Sequence, residues 1–357
     1  MVKIAFEDDD NVTPVYTYKL RIVAEVLYLR FAYLPMRGRP YSRIFNRATG
    51  MYKDTMYAAQ ETIEAVSSSG KLHLQYHDWL LDVASHVDEE LHYALCNHMF
   101  EGIVVCKEPA ARNAISRQLL AELSHQVNSI HNEGDNGSTR ALILASDVDT
   151  SFCAGADLKE RAKFTQEETS NFLTTLRGTF ASISQLPIPT ISALAAPAFG
   201  GGLELALTTH MRVFASTTTV ALPETRLAIL PGAGGTYRLP ALIGLSRARD
   251  MILTGRRVAA PEAYFLGLCD RLVEITAEDV QQEGAARKKV LNEAVRLARE
   301  ICEGGPIAIK AALQAVEGCA LGEKAENAAY ELVVKTKDRD EALIAFREKR
   351  KPVFKGE

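Results

Sequence analysis

The chain has 357 residues, 47% of them hydrophobic and 24% charged, which is a globular composition with room for one large domain with extensions or for two. A formal net charge of −4 and an isoelectric point near 6.1 give no sign of a nucleic-acid or polyanion binder. The six cysteines (Cys96, Cys106, Cys153, Cys269, Cys302 and Cys319) are scattered with no Cys-x-x-Cys pair, so reduced thiols are expected rather than a disulfide frame or a zinc site, and no apolar run approaches the ~18 residues of a membrane-spanning helix.

The first ten residues, Met1 to Asp10, are acidic and read as neither a secretory signal nor an ordinary transit peptide. Between Lys19 and Lys53, eight basic residues (Lys19, Arg21, Arg30, Arg37, Arg39, Arg43, Arg47, Lys53) face one acid, Glu25, and interleave with Leu, Val, Tyr and Phe. That composition suits an internal organelle-targeting segment or an amphipathic helix with a solvated basic face, and the helix is preferred. Residues 54–95 read as helical, with Trp79, Leu80, Leu81 and Val83 as apolar contacts. His73 and His77 share a helix face as a candidate metal pair, but no third ligand has matching spacing, so ordinary surface or half-buried histidines are expected.

From Glu101 the texture changes to alternating strands and helices. Gly102 to Val105 predicts a strand, and Asn113-Ala114-Ile115-Ser116 opens a helix with Leu119, Leu120, Leu123, Val127 and Ile130 at helical spacing. Gly134 to Ser138 is a polar loop, and Ala141 to Ala145 predicts a buried strand ending at the small-residue turn Phe152-Cys153-Ala154-Gly155-Ala156-Asp157-Leu158. In open α/β folds, ligands gather at such strand ends. Helix follows over about 165–185, then a strand at Ile191–Leu194.

Next comes the run Phe199-Gly200-Gly201-Gly202-Leu203-Glu204, read as a strand-to-helix turn. Its glycines let backbone approach closely and present N–H groups where negative charge is stabilised, with a carboxylate one turn on. Oxyanion donors beside a general acid or base make half a catalytic site; a packing turn with a solvated Glu is the competing reading. Met211 to Ala215 predicts a strand, and Thr219 to Glu224 brings a second carboxylate. A third glycine turn, Leu230 to Thr236, leads into a helix with Leu239, Leu242 and Ile243. Neither glycine run completes a P-loop or a G-x-G-x-x-G fingerprint. Alternation over about 95–275 argues for α/β layers, and residues 276–357 read as all-helical.

Four of these stretches in this order, with Glu204 and Glu224 twenty residues apart, resemble the enoyl-CoA hydratase/isomerase (crotonase) superfamily over roughly 101–357. They are Phe152 to Glu160, Phe199 to Glu204, Leu222-Pro223-Glu224 and Leu230 to Thr236. Gly155 to Lys163, Gly201 to Leu207 and the ending Asp338 to Gly356 are most similar to the methylglutaconyl-CoA hydratases of leucine catabolism.

The resemblance implies an α/β fold with a ββα spiral core at 96–275, a C-terminal helical trimerisation region at 276–357 and an unassigned extension at 1–95. It implies an acyl-CoA thioester substrate, no metal or redox cofactor, and a homotrimer or dimer of trimers. Carried over by position, Glu204 and Glu224 are the catalytic carboxylates, with Glu204 as base and Glu224 as acid. The N–H groups of Ala156 and Gly201 form the oxyanion hole, and Gly232 helps hold the water. Ala111, Ala114, Ala154, Gly155, Asp157 and Leu158 line the acyl-CoA path. The implied reaction is hydration of a 2-enoyl-CoA, with β-oxidation or secondary metabolism as alternative settings.

Some relatives of the methylglutaconyl group bind RNA through a lysine-rich early helix. The corresponding helix here has Arg117, Glu122, His125 and His131 but no lysine, so RNA binding is not expected, nor is DNA or membrane binding. The resemblance implies a mitochondrial location, with cytoplasm or peroxisome as alternatives, although the end Lys355-Gly356-Glu357 is no peroxisomal address. One departure stands out: Ala195-Ala196-Pro197 precedes the triple glycine where relatives carry a small polar pair, and Pro197 fixes φ and removes a donor.

Overall fold

The structure is a computed structural model that describes residues 103–106, 109–134, 137 and 139–357, all within the compact unit Met99–Glu357. The readings made for residues 1–95, the His73–His77 pair among them, lie outside the described residues.

Five short strands form one sheet: β1 Ile103–Cys106, β2 Leu142–Ser146, β3 Thr190–Leu194, β5 Met211–Ala215 and β8 Arg271–Val273, in the spatial order β1-β2-β3-β5-β8 and all parallel. β2 and β3 are buried almost throughout, as parallel strands covered on both faces must be. A second sheet joins β4 Ala198–Phe199, β6 Thr219–Ala221 and β7 Val258–Ala259, with β4 parallel to β6 and β7 antiparallel to it.

Helix α1 (Arg117–Asn132) starts at Ser116, whose hydroxyl accepts from the Leu119 N–H, and it buries Leu119, Leu120, Leu123 and Val127. After the short α2 (Leu158–Arg161), α3 (Gln166–Ser184) opens with a reciprocal cap between Thr165 and Glu168. It turns Phe172, Leu176, Phe180 and Ile183 into the core shared with α1. Helices α4 (Gly201–Ala206), α5 (Gly235–Ile243), α6 (Leu245–Thr254) and α7 (Ala260–Leu266) follow. The C-terminal region is helical, as its composition predicts: α8 (Ala277–Gln281), α9 (Ala285–Cys302), α10 (Pro306–Glu317), α11 (Glu323–Val334) and α12 (Lys337–Glu348). Of these α9 packs on the parallel sheet, burying Val290, Leu291, Ala294, Val295, Leu297 and Ala298.

One local reading needs correction. The triple glycine does not leave β3 directly. Ala195 to Pro197 first carries the chain into β4, in the second sheet, and the Pro197 carbonyl accepts from the Phe152 N–H at 2.9 Å. The proline therefore anchors the turn through its carbonyl, and its missing N–H breaks no ladder. Leu239, Leu242 and Ile243 lie in α5 as read, Leu239 and Ile243 buried and Leu242 40% exposed. Among the described residues no helix is long and apolar enough to cross a membrane.

Candidate active site

Two turns from distant parts of the chain lock together at the ends of these strands. Phe199 N–H donates to the Cys153 carbonyl at 3.2 Å, beside the Cys153–Ala198 bridge. The backbones then touch with no side chain between them. A Cβ on Gly202 would overlap the Cys153 carbonyl, and one on Gly155 would stand 2.7 Å from the Phe199 carbonyl oxygen. Gly155 also sits at φ +92, a conformation costly for any residue with a Cβ. These contacts explain why the small residues occur in pairs, one set in each turn.

The third strand of contact comes from Arg112–Ile115. Ala154 N–H donates to the Arg112 carbonyl at 3.1 Å, Ile115 N–H to the Gly155 carbonyl at 2.7 Å, and Asp157 N–H to the Ile115 carbonyl at 3.3 Å. Ile115 thus bonds the neighbours of Ala156 on either side, in a parallel bridge. Alternation then turns the Ala156 N–H the other way. That N–H faces Gly201: a Cβ on Gly201 would lie 3.7 Å from the Ala156 nitrogen. Neither the Ala156 nor the Gly201 N–H donates to a protein acceptor among the described residues. The two amides expected as a pair are neighbours, and both are unspent.

Gly200 touches the backbone of one glutamate and the carboxylate of the other, and the charge of Glu204 reaches Glu224. The Gly200 N–H donates to the Ala221 carbonyl at 2.9 Å, tying the glycine turn to β6 three residues before Glu224. Its carbonyl accepts from the Glu204 N–H at 3.0 Å in the first turn of α4. Its α-carbon faces Glu224, whose Oε1 lies 3.0 Å from where a Cβ would stand. Both glutamates are buried, at 3% and 8% exposure. Glu204 Oε1 accepts from the Ala233 N–H and the Gly235 N–H, each at 2.8 Å. Among the described residues Glu224 Oε2 has no hydrogen-bond partner, a costly state for a buried carboxylate unless it is protonated or meets a ligand.

Their electrostatics differ accordingly. Burial pushes the Glu224 carboxyl up to about 7, and the nearby charge of Glu204 pushes the same way; only its own backbone amide opposes them. Burial raises Glu204 as well, and its net shift stays upward although the Gly235 and Ala233 amides, the Arg238 guanidinium and the Gly232 amide oppose it. Both acids are pushed towards the neutral form, but Glu204 alone has four partners that favour its anion.

The remaining expected site residues fall nearby, with different parts to play. Ala111, Ala114 and Ala154 stand together through the Arg112–Ala154 and Ala111–Ala114 backbone bonds. Leu158 is 56% exposed on the same turn. The Asp157 carboxylate caps α2, accepting from Lys159 N–H and Glu160 N–H. Gly232 presents its carbonyl to Arg177 Nε at 2.7 Å, while its neighbours Ala233 and Gly235 supply the hydrogen bonds to Glu204.

Sequence reasoning missed three supporting residues. Asn113, fully buried at φ 52, donates through Nδ2 to Ser146 Oγ at 2.8 Å and the Phe152 carbonyl at 3.0 Å, fixing the Arg112–Ile115 turn. Arg177 and Arg238 hold the loop beside Glu204. Arg238 has a local signal, one turn into a helix begun by glycines; the others reach the site only through the fold.

The profile of the family described as enoyl-CoA hydratase/isomerase matches residues 101–357. An enoyl-CoA isomerase/hydratase of Zymoseptoria tritici is 63% identical over 71% of this chain and 83% of its own length. The mitochondrial methylglutaconyl-CoA hydratase 1 of Pyricularia oryzae is 56% identical over 71% of this chain and 82% of its own. The crystal structure of an enoyl-CoA hydratase from Bacillus anthracis superposes with a TM-score of 0.65 at 40% identity, covering 71% of this chain and 95% of that one. The chain belongs to the enoyl-CoA hydratase/isomerase family, the crotonase superfamily, as a hydro-lyase-type enzyme that resembles its methylglutaconyl-CoA hydratases.

Proposed function

We propose that the protein adds water reversibly across the C2=C3 bond of a 2-enoyl-CoA thioester, with methylglutaconyl-CoA or a similar short branched acyl group of leucine catabolism as substrate. The observation that carries this reading is a pair of buried, charge-coupled carboxylates from separate turns, Glu204 bound by the Ala233 and Gly235 amides and Glu224 with one oxygen unpartnered among the described residues, in a site that also holds two unspent amides.

In this reading the thioester oxygen lies between the Ala156 and Gly201 N–H groups. As water attacks C3, charge moves onto that oxygen as an enolate, and the two donors stabilise it where it develops; one such donor is worth about 2.7–4 kcal/mol. Glu204 takes the proton from the attacking water, and Glu224 delivers its proton to C2. In dehydration the roles reverse. Both carboxyls share one water, so they titrate as a pair. Glycine and alanine at the donor positions leave room for the thioester. Ala111, Ala114, Ala154 and Leu158 line the entering acyl chain and cofactor arm, and coenzyme A enters as part of the substrate, with no other cofactor required.

The names of relatives support the acyl group and a mitochondrial site of action, methylglutaconyl-CoA hydratase of Pyricularia oryzae above all. The isomerase/hydratase of Zymoseptoria tritici favours a second reading, in which the same pair of acids moves a proton between C2 and C4 of a 3-enoyl-CoA. Loss of enoyl-thioester absorbance over a panel of short, branched and dicarboxylic 2-enoyl-CoAs, with 3-enoyl-CoAs alongside, tests both. Hydration of the branched dicarboxylic thioester at the highest kcat/KM is the expected result. Glu204→Gln and Glu224→Gln should each lower kcat by about 10²–10⁴ while leaving the circular dichroism unchanged. Near-normal turnover by either variant would remove the assignment.

A further inference from the structure

Outside the carboxylates and their donors, one arrangement has no part yet in the chemistry: two arginines from different helices grip successive carbonyls of the loop that holds Glu204. Arg177, on the exposed side of α3, donates through Nε to the Gly232 carbonyl at 2.7 Å. Arg238, in the first turns of α5, donates through Nη1 to the Ala233 carbonyl at 2.8 Å. Glu204 Oε1 is bound by the Ala233 amide, in the same peptide as the Gly232 carbonyl, and by the Gly235 amide, one peptide beyond that of the Ala233 carbonyl.

The order of atoms matters. In a planar trans peptide the carbonyl and the N–H point in opposite directions. The peptide between Gly232 and Ala233 therefore receives a guanidinium on its oxygen and gives its hydrogen to Glu204. A charged donor on the oxygen polarises the unit and strengthens the bond made by its hydrogen. Arg238 fixes the following peptide, so that Gly235 N–H stays aimed at the same oxygen, and it brings its own positive charge close to Glu204.

We propose that Arg177 and Arg238 are positioning residues that act together through the Gly232–Gly235 backbone to hold Glu204 in place as an anion, so that it can serve as the base. This rests on the assignment of Glu204 made above. The other charged group facing Glu204 is Glu224, which opposes the clamp because its anion would favour a protonated Glu204. Among the described residues Arg238 is the cation that acts on it directly, and Arg177 works through the peptide.

The test is the pH profile of kcat/KM for hydration by the full chain, in the wild type and in Arg177→Gln, Arg238→Gln, Arg177→Lys and Arg238→Lys. The acidic limb reports loss of the Glu204 anion. In each glutamine variant that limb should move to higher pH by about one unit, so that kcat/KM falls about tenfold below the limb and recovers above it. The lysine variants, which keep the charge, should restore much of the limb's position. Loosening of the loop alone would lower the rate evenly at all pH values. An unmoved limb in either glutamine variant, whether the rate falls evenly or stays normal, overturns the proposal. Arg177 is exposed, so Arg177→Gln should fold even if Arg238→Gln does not, and its limb alone then decides. Glu204→Gln separates the two levels: if that variant is inactive while both limbs stay put, the clamp falls and the base survives.

Discussion

The bare Oε2 of Glu224 and the crowded Oε1 of Glu204 divide the labour between two identical side chains, and the division has a sign that pH reveals. Glu224 is raised from its ordinary 4.5 to about 7, chiefly by burial and then by the charge of Glu204. In the proposed reaction hydration uses its proton, so the forward rate should fall as pH rises through about 7, while the acidic limb would report the proposed base, Glu204. Stability follows the same group. A carboxyl raised in the folded state contributes fully below 4.5 and loses that contribution as pH rises through about 7. Glu224→Gln, which cannot ionise, should therefore gain in melting temperature over the wild type at pH 8–9 compared with pH 5; equal differences at both would mean that the acid is not held neutral. Cys153 beside them is inert by the same physics. Burial pushes its thiol up to about 12, so iodoacetamide at pH 8 should leave it unmodified in the native protein and label it after denaturation.

Among the elements, several were legible in the sequence: α1 through Leu119, Leu120, Leu123 and Val127, α3 as a helix over about 165–185, and the apolar β2 and β3. Those set by contacts across the fold were not. β4 has two residues and follows a proline, so nothing local marks it; its partner β6 decides it. Arg112 and Asn113 lie at φ 52 without glycine, held there by the bonds of Asn113 to Ser146 and Phe152. The site was half legible: the glycine turns and the two acids stand in the sequence, but the Asn113, Arg177 and Arg238 supports depend on three-dimensional proximity. The interlocked turns make a sharp prediction. Gly202→Ala drives a methyl into the Cys153 carbonyl and should cost about 1–3 kcal/mol or more. Chemical denaturation should show that loss, and hydration should fall with it. A variant as stable and active as the wild type would mean that the two turns are not in contact.

At the scale of the whole molecule, the last three helices leave much apolar surface uncovered. Val316, Leu321, Tyr330 and Phe346 are 72%, 65%, 67% and 85% exposed, and α10 and α11 each bury a single residue, Ala311 and Ala329. The family resemblance gives this region to contacts between copies, so the full chain should run as a trimer or a dimer of trimers in light scattering. Phe346→Glu combined with Tyr330→Glu should shift it towards monomer, and a monomeric wild type would remove the expectation. The division into extension, core and helical tail was read from texture and resemblance; the tail is helical as read, and the extension lies outside the described residues.

The seam between Cys153–Ala156 and Phe199–Gly202 is formed by main chain against main chain. The spacing of the two amides that would activate a thioester is thus set by polypeptide thickness, a quantity no replacement of surrounding side chains can tune. Reshaping the walls around Leu158 and α3 should retarget such an enzyme to longer or bulkier acyl groups, changing which thioesters enter while the electrophilic grip on the carbonyl stays constant.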